Sequence, residues 1–342
     1  MSVRVGIIGG AGYTGGELLR LLSMHPHAKV AWATSRGRAG WHVSTIHPNL
    51  RGVLDLAFID PGEVDPVDVV FLCLPHGETA GNIERYADLA HRVIDLSSDF
   101  RLRDPDDYEQ TYGQPHAAPQ WLDRFVYGLP EAHRDDLADA RYISGVGCNA
   151  TAMNLALLPL ARAGAIERVI ADVKVGSSES GAEASSASNH AERTNALRTF
   201  APTGHRHAAE VRQLCGDFPL HVTATTTDLV RGVLATCHVL INEELTDRDV
   251  WQMFRSAYAD EPFVRIVRER RGLYRLPEPK VLAGTNYADV GFAVETGARR
   301  VVALCAIDNL GKGAAGSAVQ SMNVACGFEE SVGLTFPGLH PV

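Results

Sequence analysis

Val3-Arg4-Val5-Gly6-Ile7-Ile8-Gly9-Gly10-Ala11-Gly12-Tyr13-Thr14-Gly15-Gly16 is the stretch that decides the fold class. Val3 to Ile8 is a short apolar run of the kind that forms a buried parallel strand. Glu17-Leu18-Leu19-Arg20-Leu21-Leu22 follows, with the apolar recurrence of a helix. Between them, Gly10, Gly12 and Gly15 satisfy G-x-G-x-x-G, and Gly9, Gly12 and Gly15 satisfy G-x-x-G-x-x-G. At a strand-to-helix turn this spacing gives a sharp bend, close approach of a pyrophosphate to backbone, and tight packing of helix on strand. The plain alternative is a glycine-rich turn that holds nothing.

Working outward, the second predicted strand, Lys29 to Thr34, runs into Thr34-Ser35-Arg36-Gly37-Arg38. A carboxylate here would hold the adenosine ribose of NAD. The segment offers hydroxyls and arginines instead, which favours the 2′-phosphate of NADP. Solvent-facing loop charges are the alternative for Arg36 and Arg38. Further apolar runs end in Pro75-His76-Gly77-Glu78 and in Ser97-Ser98-Asp99-Phe100-Arg101. Both loops follow the carboxyl end of a strand, where open α/β sheets bind ligands.

At 342 residues the chain is long for one core and predicts two domains. A net charge of −9 argues against a nucleic-acid binder. No apolar run approaches membrane-spanning length, and Val3 to Gly9 reads as a strand rather than a secretory signal, so a cytoplasmic location is expected. The six cysteines are scattered without C-x-x-C spacing, which suggests neither a metal site nor a disulfide framework.

One cysteine stands apart. In Ser144-Gly145-Val146-Gly147-Cys148-Asn149-Ala150-Thr151-Ala152, glycines precede Cys148 and a helix-forming stretch follows it. A thiol at a helix N-terminus meets the positive end of the backbone dipole, which favours its thiolate. A buried structural cysteine is the alternative. Beyond it, β-branched runs around residues 168–175, 221–226 and 232–240 predict an α+β domain with one exposed sheet face, a place for self-association. A long polar stretch from Gly176 to His190 leads to His205-Arg206-His207 at a helix start. His205 and His207 both suit acid–base work beside a thiolate, and two hydrogen-bonded surface histidines are the alternative. No Tyr-x-x-x-Lys occurs, which sets aside a short-chain dehydrogenase.

Taken together, Gly9 to Gly16, Leu74-Pro75-His76-Gly77, Asp99-Phe100-Arg101-Leu102, Tyr127-Gly128-Leu129-Pro130-Glu131, Gly147-Cys148, His205-Arg206-His207 and Asp308-Asn309-Leu310-Gly311-Lys312-Gly313 resemble the N-acetyl-gamma-glutamyl-phosphate reductase family from end to end. That family commonly carries Pro-Gly-Cys-Tyr-Pro-Thr-Ala at the cysteine. The chain has Val146-Gly147-Cys148-Asn149-Ala150-Thr151-Ala152, which is more similar to the lysine-biosynthetic branch. Members of that branch reduce an aminoadipyl phosphate, and some a glutamyl phosphate, attached to a small acidic carrier protein, LysW.

The resemblance implies Cys148 as nucleophile and His205 as acid–base residue, with NADP contacted by Gly10, Ala11, Gly12, Tyr13, Thr34, Ser35, Arg36 and Asn309. It implies an NADP-binding Rossmann domain over 1–147 plus 311–342, interrupted by an α+β catalytic and oligomerisation domain over 148–310, in a homodimer or homotetramer. Arg193, Arg198 and Arg206 would form a basic rim for the carrier. Two other functions stand beside this one: the arginine-pathway reductase acting on a free acetylated substrate, and a non-catalytic NADP-binding sensor.

Overall fold

The computed structural model describes residues 2–342. The chain divides into two compact units, one of residues 1–146 and 314–335, the other of residues 147–313 and 336–342.

The first unit is built on a seven-stranded sheet in the order β3-β2-β1-β4-β5-β7-β6. The strands are β1 (Val3–Ile8), β2 (Ala28–Thr34), β3 (Phe58–Ile59), β4 (Val67–Leu72), β5 (Ala90–Asp95), β6 (Phe125–Tyr127) and β7 (Tyr142–Ser144). Every pairing is parallel. Val5, Ile7, Val69, Val70 and Phe71 are wholly buried because helices cover both faces, and strands so covered need apolar side chains on both sides. The order reverses direction between β1 and β4, which leaves a crevice at their carboxyl ends. The helix Gly316–Ala325 packs against the helices Pro130–Ala138 and Tyr13–Ser23 of this unit.

The second unit carries a mixed seven-stranded sheet, β12-β13-β14-β11-β8-β10-β9. Its strands are β8 (Ile166–Val175), β9 (Arg198–Ala201), β10 (Leu220–Thr226), β11 (Val233–Ile241), β12 (Val264–Ile266), β13 (Ala288–Glu295) and β14 (Arg300–Ile307). Burial along β11 alternates strictly, so one face is covered and the other is partly open. The helix Cys148–Arg162 lies on the covered face against β8, β11, β13 and β14. It is flanked by the helices His207–Cys215 and Asp247–Tyr258, which explains why every residue from Asn149 to Leu160 is buried.

The expected boundary needs one correction. Against the expected bounds of 1–147 plus 311–342, residues 147, 311–313 and 336–342 group with the second unit. Gly338 lies so close to Val281 and Thr285 that a β-carbon there would sit 2.9 Å from the Val281 carbonyl oxygen.

Candidate active site

In the first unit, the turn after β1 has the form its glycines demand. Gly9 adopts φ +85°, and a β-carbon there would lie 2.3 Å from the Cys73 carbonyl oxygen. Gly15 closes on the same turn, since its β-carbon would meet Gly10 Cα at 2.7 Å. Gly12 differs: a β-carbon there would meet only the Gly9 oxygen, at 3.9 Å. The turn is therefore packed from behind at Gly9 and Gly15 and open in front at Gly12. The helix Tyr13–Ser23 begins at Gly12 with no side-chain cap and no acidic residue in its first turn. Its leading amides thus remain turned toward an anion. Ala11 and Gly12 are half-exposed and Tyr13 is exposed. These are the features a dinucleotide pyrophosphate requires.

Thr34 ends β2 fully buried, and its hydroxyl accepts from the Gly9 amide at 3.3 Å. Ser35 is half-buried and donates its amide to the Ile59 carbonyl. Arg36 is exposed and meets Glu78 at 2.6 Å, so its guanidinium sits in solvent beside the turn rather than in the core. The loops after β4 and β5 are joined by His76, whose Nδ1 is 2.9 Å from Asp99 and 2.8 Å from the Ser98 hydroxyl. Burial works against the Asp99 carboxylate, but His76 and the amides of Gly77 and Ala80 hold its pKa below the usual value.

In the second unit, Gly147 caps the helix Cys148–Arg162, again with no side-chain cap and no acid in the first turn. Cys148 is the first helical residue and is half-buried. Its Sγ lies 3.6 Å from Asn149 Oδ1. The Gly147 amide donates to the buried Glu210 carboxylate at 3.0 Å, which ties this helix start to the helix His207–Cys215. His205 is buried just before that helix, with Nε2 3.5 Å from Asn149 Nδ2. The His207 amide donates to His205 Nδ1 at 3.2 Å. Burial, and then Arg206, push the His205 pKa down to about 4, against the pull of Glu210. The imidazole is therefore neutral at physiological pH, with its proton on Nε2, the nitrogen that faces Asn149. His207 packs edge-on against His205 and lies 3.9 Å from Glu210. Of the two histidines, His205 is the one that meets Asn149 and, through it, the cysteine.

Three contributors were not singled out from the sequence. Glu210 stands five residues after His205, on the face of its helix that meets the cysteine turn. Glu179 lies in the long polar stretch, and burial raises its pKa to about 7 against the pull of Arg206, Arg193 and Asn149. Gly313 is set against Cys148, where a β-carbon would fall 2.7 Å from Cys148 Cβ. The turn that carries Gly313 is organised by Asp308, which accepts from Leu310, Gly311 and Gly284 amides and meets Arg231 at 2.7 Å. Asn309 belongs to this turn. It accepts from the Gly232 amide and donates to the Ser178 hydroxyl, both at 2.8 Å, so its carboxamide braces the second unit.

A helix-start thiol, a neutral histidine and an uncapped glycine turn are the tools of a thiol-dependent, nicotinamide-linked oxidoreductase. The comparisons agree. The semialdehyde dehydrogenase NAD-binding domain matches residues 4–140, and the semialdehyde dehydrogenase dimerisation domain matches residues 148–309. The chain belongs to the semialdehyde dehydrogenase family, and is an oxidoreductase that uses a nicotinamide dinucleotide. Within it, the chain belongs with the LysW-L-2-aminoadipate 6-phosphate reductases. It is 49% identical to the protein of that name from Deinococcus radiodurans over 98% of both chains. A Thermomicrobium roseum protein, provisionally given the same name, is 54% identical over the full length of both. Sulfurisphaera tokodaii LysW-L-2-aminoadipate/LysW-L-glutamate phosphate reductase is 43% identical over 99% of both. Among solved structures, Vibrio cholerae aspartate semialdehyde dehydrogenase II shares the fold, with a TM-score of 0.71 at 16% identity over 95% of this chain and 98% of that one.

Proposed function

We infer that this protein reduces a LysW-linked aminoadipyl phosphate to the semialdehyde, using NADPH and releasing phosphate, through a thioester on Cys148. The observation that carries the reading is the uncapped helix start bearing Cys148, coupled through Asn149 to a neutral His205. The Cys148 thiolate attacks the acyl carbon, the carbon–oxygen bond to phosphate breaks, and a thioester remains. NADPH, when bound, supplies the hydride that turns the thioester into a hemithioacetal. The thiol proton leaves to solvent before attack, and Nε2–H of the neutral His205 donates to the tetrahedral oxyanion as it forms. Collapse of the hemithioacetal breaks the carbon–sulfur bond and restores the cysteine. Holding the acyl group covalently splits one hard displacement into two easier steps.

Gly10, Ala11, Gly12 and Tyr13 would hold the pyrophosphate at the helix start, and Thr34, Ser35 and Arg36 would surround the adenosine ribose. Arg36 favours the 2′-phosphate of NADP because it can exchange Glu78 for a stronger anion. An acidic carrier must dock on a protein that is itself acidic overall, so the docking site needs local positive charge. Arg206 is exposed and acts with Arg193 on the segment that holds Glu179, and Arg198 is exposed on β9. The open face of the second sheet would pair with another copy.

The test runs the reaction backwards, with NADP, phosphate and either LysW-linked aminoadipate semialdehyde or free N-acetylglutamate semialdehyde. Turnover confined to the carrier-linked aldehyde, and weakened by added salt, is the expected result. Preference for the free acetylated aldehyde would return the protein to the arginine-pathway reaction.

A further inference from the structure

The segment after β2, Thr34-Ser35-Arg36-Gly37-Arg38, contains no carboxylate, and the case for NADP over NAD rests on that lack. The fold brings a carboxylate there from another strand. Glu78 follows β4, 42 residues further along the chain, and its Oε2 accepts from Arg36 Nη2 at 2.6 Å. β2 and β4 are the strands on either side of β1, so this pair links the two loops that flank the glycine turn. Of the two arginines after β2, Arg38 lies over the Trp41 ring at 4.7 Å, and Arg36 is the one that faces the β4 loop.

Glu78 is placed by its backbone. Gly77, at φ +87°, turns the chain just before it. The Asp99 carboxylate accepts the Gly77 amide at 2.7 Å and the Ala80 amide at 2.9 Å, one on each side of Glu78. Asp99 is wholly buried, so the loop is anchored in the interior. Asn82 donates to the Glu78 carbonyl oxygen at 2.9 Å. The Glu78 side chain, half-buried, is thereby carried outward to an exposed guanidinium.

A bare ribose and a phosphorylated one make opposite demands on such a pair. The 2′-hydroxyl of NAD donates well to a carboxylate. A phosphate monoester carries about −1.5 to −2 charges at neutral pH, so the 2′-phosphate of NADP is repelled by a carboxylate and suits a guanidinium. We propose that Glu78 is a specificity-determining residue of the dinucleotide crevice, accepting the ribose hydroxyls of NAD while holding Arg36 back from the 2′-phosphate of NADP. The inference rests on the reading of this crevice as the adenosine site and deepens it, since Arg36 and Glu78 then pull the choice of dinucleotide in opposite directions.

The experiment measures dissociation constants for NADPH and for NADH by isothermal titration calorimetry, at one ionic strength, with the full-length protein and with Glu78→Gln. This substitution keeps the size of the side chain and leaves the backbone bonds to Asp99 and Asn82 in place. NADPH is expected to bind about threefold tighter or more, because Arg36 is released and the repulsion removed. NADH is expected to bind about threefold weaker or more, because a neutral carboxamide is a poorer acceptor than a carboxylate. The opposed signs are the signature, since a merely loosened loop would move both constants the same way. Shifts of the same sign, or no shift in either, would overturn the proposal. NADPH binding that Arg36→Ala leaves unchanged would overturn the reading of the crevice itself, and the proposal with it, so the two failures are told apart.

Discussion

Two helices, Tyr13–Ser23 and Cys148–Arg162, start at a glycine without a side-chain cap, while others in the same chain are sealed. Thr246 caps Asp247–Tyr258 with a reciprocal Thr246–Asp249 box, and Asp104 caps Pro105–Tyr112. Such caps are worth about 1 kcal/mol each. Forgoing them at Gly12 and Gly147 leaves positive backbone ends exposed to whatever anion arrives. In the first unit a β-carbon at Gly12 would meet only the Gly9 oxygen, and on the proposed function the anion there is the dinucleotide pyrophosphate. In the second, the group at the helix start belongs to the chain itself, the Cys148 thiol that the proposed mechanism ionises, and Gly313 packs against the Cys148 Cβ. Open turn and filled turn thus solve the same electrostatic problem in opposite ways.

That contrast is broken most severely at Gly313. An alanine there must displace Cys148, and a misplacement near 1 Å costs about a hundredfold in rate. Gly313→Ala should therefore lower kcat by about that factor while leaving NADPH affinity intact, as read by steady-state kinetics beside a fluorescence titration. Gly12→Ala should do the reverse. Its methyl group makes only an ordinary contact with the Gly9 oxygen but would enter the proposed pyrophosphate space, so NADPH affinity should fall about tenfold while thermal stability holds. Arg36→Ala should have a smaller effect, reducing the preference for NADP over NAD by about three- to tenfold in competition assays.

The smallest effect is one of stability. His205 is held near 4 in the folded protein against an ordinary 6.5. Between those pH values the unfolded chain carries a proton that the folded chain lacks, so this residue makes stability rise with pH across the window. Glu179 works in the opposite sense, because its raised pKa keeps a proton on the folded chain that the unfolded chain loses from about pH 4.5 to about 7. His205→Gln should therefore narrow the gap between urea midpoints measured at pH 7 and pH 5, relative to the unaltered protein.

The glycine turn after β1 and the Cys148 turn were legible because each is local. A buried apolar strand, glycines at fixed spacing and a helical repeat all lie within a few adjacent residues. Glu210 was half-legible, since its spacing from His205 places it on the first turn of the helix that follows. Asn149 offered a fainter signal, one of a few polar residues in a mostly apolar helix. Glu179 and Gly313 were not legible. Each takes its place only after the second sheet has formed, and a polar stretch or a glycine-rich turn carries no sign of which distant atom it will meet. The bracing of Asn309 by Gly232 and Ser178 was illegible for the same reason, since both are far away in sequence.

The most direct test of the account omits phosphate. LysW-linked aminoadipate semialdehyde and NADP are mixed rapidly with the enzyme, and NADPH is followed by absorbance while the protein is quenched for mass spectrometry. One NADPH per active site should appear in a burst, with the acyl group on the Cys148 peptide, and added phosphate should then release it. A burst that persists in Cys148→Ser, or turnover without any adduct on Cys148, would contradict the thioester.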